Sequence, residues 1–203
     1  MKHPFLVRLF SIICLTGASV SAHSQYYYKD ITLTEQINET FQSYLRNKVK
    51  AVKVIPSGGQ ASPAEEFTGS RKVTYRPNKV ITYTKTSGFG ESFLIALYDK
   101  DGLLIKSTDS TALSVSTSYY EYNAAHQLVQ LKNKAVATDQ SSAAEEVHTW
   151  AYDHNGKPVQ MIRVKDGTDT TLVKLSLDDK GNVEEEEVFR DGISQGRVYY
   201  YHD

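Results

Sequence analysis

Tyr152-Asp153-His154-Asn155-Gly156, then Asp166-Gly167, then Asp178-Asp179-Lys180-Gly181, then Asp191-Gly192 are the turn signals whose reading decides the fold. Asp153, Asp178 and Asp203 stand 25 residues apart, and the same offset links Gly156 to Gly181, Val164 to Phe189, Asp166 to Asp191 and Gly167 to Gly192. In Asp-x-x-Gly the carboxylate can accept backbone amides across a type I turn, while the glycine takes the left-handed conformation of a three-residue hairpin with a bulge. The Asp-Gly pairs suit a tighter two-residue turn, whose central residues both need positive φ. Two turns per unit mean two strands per unit: Tyr-Asp-x-x-Gly, strand, Asp-Gly, strand.

Working toward the N-terminus, Tyr98-Asp99-Lys100-Asp101-Gly102 and Tyr122-Asn123-Ala124-Ala125-His126 are earlier copies. They are offset by 24 residues, and then by 30 where a Ser/Ala-rich insertion intervenes. His126 replaces the glycine, at a cost of about 1 kcal/mol, and histidine enters the left-handed region more readily than most residues. From Arg71 onward no helical period occurs. Strands are expected at 72–76, 80–86, 92–98, 103–107, 113–122, 127–133, 146–152, 158–164, 171–177, 182–189 and 197–202, rich in Val, Thr, Tyr and Ile. So many strands on short connections predict an antiparallel meander, because parallel neighbours need crossovers of a dozen or more residues.

Trp150-Ala151-Tyr152-Asp153-His154-Asn155-Gly156 and Tyr120-Glu121-Tyr122-Asn123 resemble the Tyr-x-Tyr-Asp-x-x-Gly motif of YD-repeat (Rhs-like) proteins, and Tyr98-Asp99-Lys100-Asp101-Gly102-Leu103-Leu104 fits its second half. With its leader and the start near Gln25-Tyr26-Tyr27-Tyr28-Lys29-Asp30, the chain is similar to small exported proteins of the Bacteroidota type. The resemblance covers residues 92–203 and rests largely on turn chemistry. It implies hairpin repeats and supplies no catalytic residues. Large Rhs proteins build a β-shell around a toxic domain, which four and a fraction repeats cannot enclose.

Ahead of the strands, Thr32-Leu33-Thr34-Glu35 reads as a capping box, followed by Ile37, Phe41 and Leu45, with Tyr44 beside them, at the spacing of one helical face. A helix is expected over residues 33–47, its single apolar stripe needing a sheet to cover. Val49 to Ile55 reads as a first strand, and Ser57-Gly58-Gly59-Gln60-Ala61-Ser62-Pro63 as a loop. Residues 1–24 read as a secretory signal: Lys2 and Arg8, an apolar run through Leu9, Phe10, Ile12, Ile13 and Leu15, then cleavage after Ala22 or Ser24. Cys14 lacks the preceding pattern of a lipidated cysteine.

The 203 residues carry 23 basic and 24 acidic side chains and one cysteine, a balance that argues against a strongly basic nucleic-acid binder and a disulfide scaffold. Beyond the leader no transmembrane segment is expected. Cleavage would leave a mildly acidic, cysteine-free chain that relies on apolar burial alone. The expected whole is therefore an exported, periplasmic or secreted, α+β but mainly β domain over residues 25–203. In it an amphipathic helix packs on a curved antiparallel meander: residues 33–47 form the helix, 49–91 the first strands and loop, and 92–203 the hairpin repeats.

Chemistry is sparse in the sequence. There is no Gly-x-Ser-x-Gly elbow, His-Glu-x-x-His helix or phosphate loop. His148, Asp153 and His154 lack metal-ligand spacing, so no metal or cofactor is expected. Glu184-Glu185-Glu186-Glu187 reads as a solvated edge that discourages sheet aggregation. Phe93-Leu94-Ile95-Ala96-Leu97 is apolar on both alternating faces and predicts a central strand covered on both sides. Tyrosine is in excess, 14 residues against 7 phenylalanines. Alternation pairs Tyr120 with Tyr122, and Trp150 with Tyr152, on one face, making them the candidate ligand or partner contacts. The expected function is noncatalytic: an envelope or extracellular interaction module acting through its sheet surface. The alternative is a binding protein holding an apolar or glycan ligand on the concave, tyrosine-lined face. An enzyme ranks last.

Overall fold

A computed structural model describes residues 26–54, 67–86 and 90–202; the expected leader and the expected loop at residues 57–63 lie outside the described residues. α1 (Lys29–Asn47) precedes β1 (Ala51–Val54), β2 (Phe67–Tyr75), β3 (Asn78–Thr86), β4 (Gly90–Tyr98), β5 (Leu104–Ser110), β6 (Ser114–Tyr122), β7 (Leu128–Ala137), β8 (Ala143–Tyr152), β9 (Pro158–Lys165), β10 (Asp169–Leu177), β11 (Val183–Arg190) and β12 (Ile193–Tyr199). The twelve strands form one open antiparallel sheet in chain order, the meander that short connections between strands impose.

The turns explain why the chain reverses where it does. The first carboxylate or amide oxygen of each motif, on Asp99, Asn123, Asp153 and Asp178, accepts the amides two and four residues on at 2.7–3.0 Å. Gly102, Gly156 and Gly181 stand at positive φ, and His126 takes the same conformation at 61°. The ladder slips by one residue beside each of these turns, at Leu97/Tyr98, Glu121/Tyr122, Ala151/Tyr152 and Ser176/Leu177. These are the bulges that such hairpins carry. At Asp166-Gly167 and Asp191-Gly192 both residues have positive φ, as a two-residue hairpin turn requires.

α1 crosses one face of the sheet, and the core lies between them in two clusters. Under its N-terminal half, Tyr27 and Ile31 meet Leu128, Trp150, Met161, Val173, Leu175 and Val183. Under its C-terminal half, Phe41 meets Val73, Val80, Ala96, Tyr98 and Leu104. The buried helical face is Ile31, Thr34, Asn38 and Phe41, rotated from the expected stripe so that Ile37 is left exposed. Asn38 is buried because β5 starts at a bulge. Its Oδ1 accepts the Leu104 amide at 2.8 Å and its Nδ2 donates to the Tyr122 hydroxyl at 3.4 Å, while that hydroxyl donates to the Leu104 carbonyl at 2.9 Å.

The helix also starts earlier than the capping box places it. No side chain caps it at Tyr28, and the Thr32 hydroxyl donates to the Lys29 carbonyl inside the first turn. The cap comes from the far end of the chain. Glu186 accepts the amides of Tyr27 and Tyr28 at 2.9 and 3.0 Å.

One helix covers one face only. Phe93 and Ile95 of β4 therefore stand 45% and 37% exposed on the other side, against the expectation of a strand covered twice.

Candidate functional site

The four singled-out aromatic residues share the helix-side face but do not form one row, because β7 with Leu128 and Leu131 runs between β6 and β8. Trp150 is 4% exposed, and its indole Nε1 has no partner among the described residues. The Tyr152 hydroxyl donates to the Leu128 carbonyl at 2.7 Å, just as Tyr122 serves Leu104 one repeat earlier. Burial pushes the Tyr122 phenol up to about 12. These two tyrosines thus fasten each turn to the start of the strand that leads away from the preceding Tyr-Asp turn. Tyr120 alone opens to a larger cavity, with its hydroxyl 3.3 Å from Ser107 Oγ.

That cavity is a groove of about 570 Å³ between α1 and β2–β6. Ile37 and Tyr44 supply the helix side; Val80, Leu94, Ala96 and Leu104 supply an apolar floor. Arg71 and Tyr98 add polar groups. A smaller depression of about 170 Å³ on the other flank of α1 includes Tyr28, Glu35, Gln127 and Tyr152.

A chain of charges ties the helix N-terminus to the sheet. His148, 9% exposed, bonds Asp30 through Nδ1 at 2.5 Å and Glu146 through Nε2 at 2.8 Å. Glu146 also meets Arg163 at 2.6 Å, and Arg163 reaches Asp169 at 3.7 Å. The Arg163 Nε is buried without a partner among the described residues. Asp153 and His154 sit in a turn away from this network. Among the described residues no group of three or more His, Cys, Asp or Glu side chains is placed to hold a metal ion.

Burial alone would lower the pKa of His148, but the Asp30 and Glu146 carboxylates outweigh it and hold the imidazolium above its ordinary value of 6.5. A raised folded-state pKa gives stability that is complete below the ordinary value and lost as pH rises through the folded one. Glu146 runs the other way. Its desolvation is outweighed by Arg163 and His148, so its contribution is lost on acidification through its lowered pKa. The urea midpoint of unfolding should accordingly fall from pH about 6 to pH about 9. In His148→Gln that alkaline fall should shrink; an unchanged slope in the variant would assign the pH dependence elsewhere.

The face away from α1 is the other candidate. The strand register places Ile81, Tyr83, Phe93, Ile95 and Leu97 together on β3 and β4, with the Tyr83 and Phe93 rings 5.1 Å apart. On the same face stand Lys53, Lys72, Lys79, Lys85 and Lys106. Lys85 pairs with Glu91 at 3.1 Å, and Lys106 lies 5.2 Å from the Tyr119 ring. Sequence reasoning missed this island because it read the β4 apolar run as doubly covered. The alternation itself carried the signal.

No protein-family model matches the chain, and no curated protein matches it. Among the described residues no helix is long and apolar enough to cross a membrane.

Proposed function

We propose that the protein is a noncatalytic, exported interaction module, periplasmic or secreted, whose sheet face opposite α1 docks an acidic envelope or extracellular protein. The observation that carries this reading is the apolar island at Ile81, Tyr83, Phe93, Ile95 and Leu97, bordered by five lysines, of which Lys85 is paired with Glu91. The chain as a whole has a formal charge of −1, so the positive field is local to this face. Lysines around an apolar centre steer an acidic surface to it, and burial of the centre then slows dissociation. The lack of nucleophile, metal-binding and phosphate-loop motifs supports a role without catalysis.

A photo-crosslinking residue at position 93, compared with one at Leu33 on the exposed side of α1, tests the reading in cells that make the full chain. Position 93 should yield a discrete adduct that position 33 does not. Lys72→Glu combined with Lys79→Glu should weaken binding of the purified partner at least tenfold, roughly, with the melting temperature unchanged. Equal labelling from both positions, or binding indifferent to the charge reversal, would refute it.

A further inference from the structure

We infer that the groove beside α1 is a separate binding site for a small amphiphile bearing a single carboxylate. Three observations converge on it, none belonging to the face opposite the helix.

The first is its walls. Between α1 and the sheet, Ile37 and Leu94 are each 39% exposed, and both line the groove above Val80, Ala96 and Leu104. A volume of about 570 Å³ lies within the usual range of small-molecule sites. An apolar chain laid there would bury side chains that the fold leaves wet.

The second is Tyr98. It occupies the same repeat position as Tyr122 and Tyr152, whose hydroxyls donate to backbone carbonyls. The Tyr98 residue is 9% exposed and its ring stacks on Phe41 at 3.8 Å. Its hydroxyl nevertheless has no hydrogen-bond partner among the described residues, and it is not one of the fully sealed polar atoms. The groove it lines is where that hydroxyl finds an acceptor. Burial keeps the phenol protonated well above its ordinary range, so it remains a donor.

The third is charge. Arg71 is the one charged side chain in the lining among the described residues. Its Nη1 donates to the Tyr44 hydroxyl at 3.0 Å, and it has no ion pair among the described residues. Tyr44, accepting there, keeps its own proton to donate. One guanidinium with two phenolic donors suits a two-oxygen monoanion; a dianionic phosphate would leave charge uncompensated.

Calorimetry on the purified protein with decanoate below its micelle concentration tests the assignment, with decanol and decyltrimethylammonium as neutral and cationic controls. Decanoate should bind at one site, shifting the methyl signals of Leu94, Ala96 and Leu104, and should bind more tightly than either control. Arg71→Gln should weaken decanoate about tenfold and leave decanol unchanged. Tyr98→Phe should also weaken decanoate without lowering the melting temperature, because the hydroxyl it removes has no partner among the described residues. The inference is overturned by the absence of saturable decanoate binding, by controls that bind equally well, by shifts confined to Ile95 on the other face, or by binding of neutral oligosaccharides in its place.

Discussion

Glu186→Ala should lose about 3–5 kcal/mol of folding stability, read as a lower urea midpoint with an unchanged slope. Glu186 is 0% exposed in the interior of the sheet, between β10 and β12. Its two oxygens accept the Tyr27 and Tyr28 amides, and the Tyr200 hydroxyl donates to it at 2.6 Å. Truncation leaves those donors without this acceptor where water has little access, and each unsatisfied buried donor costs about 1–3 kcal/mol. It also removes negative charge from the positive end of the α1 dipole. Glu186→Gln keeps the shape but turns one acceptor into a donor facing other donors, so it should fall between alanine and the parent. Hydrogen exchange at the Tyr27 and Tyr28 amides should accelerate in both. A midpoint within about 0.5 kcal/mol of the parent would mean that water or another group replaces the carboxylate.

Phe41→Ala should cost a comparable amount, about 3–5 kcal/mol. The side chain is 0% exposed, stacked face to face on Tyr98 and enclosed by Val73, Val80 and Leu104. Its loss opens a cavity between helix and sheet that the neighbouring β-ladders cannot collapse to fill. Ile37→Ala, from the same apolar stripe in the sequence, should cost less than about 1 kcal/mol because the side chain is already 39% exposed. Urea unfolding of the two variants side by side checks the ranking. Equal losses would place Ile37 in the core and close the groove that it lines.

The contrast between these residues shows how much was legible beforehand. The reversals at the Asp-x-x-Gly turns were readable, because the Asp153 carboxylate and the amides it accepts lie within five consecutive residues; the tight reversal between β7 and β8 was not, and the stretch read there as an insertion lengthens both strands. The stripe of α1 was readable as a period but not as a rotation. Asn38 is held under the helix by the amide of Leu104, 66 residues away, which donates to its Oδ1, and Ile37 is displaced with it. In the glutamate run, strict alternation sets Glu186 opposite to Val183, yet both are buried. The ladder slip near Leu177 and Val183 inserts one extra residue and brings them to the same face. The solvated-edge reading failed there, since β11 is an interior strand. The four aromatic candidates were placed on a common face correctly, but three of them are engaged beneath α1, and only Tyr120 opens to the groove.

By itself the sequence determined the antiparallel meander and, over residues 153–192, its two alternating turn types, since these depend on φ preferences and hydrogen bonds closed within a few residues. Tertiary structure alone decided which carboxylate caps the helix, that the buried Tyr98 hydroxyl has no partner among the described residues, and which sheet face stays open. The physical reason is parity. Each bulge moves the following side chains to the other face, and one helix can cover only one face. Whether a polar side chain is buried or solvated therefore depends on the register summed across strands, which no local window contains.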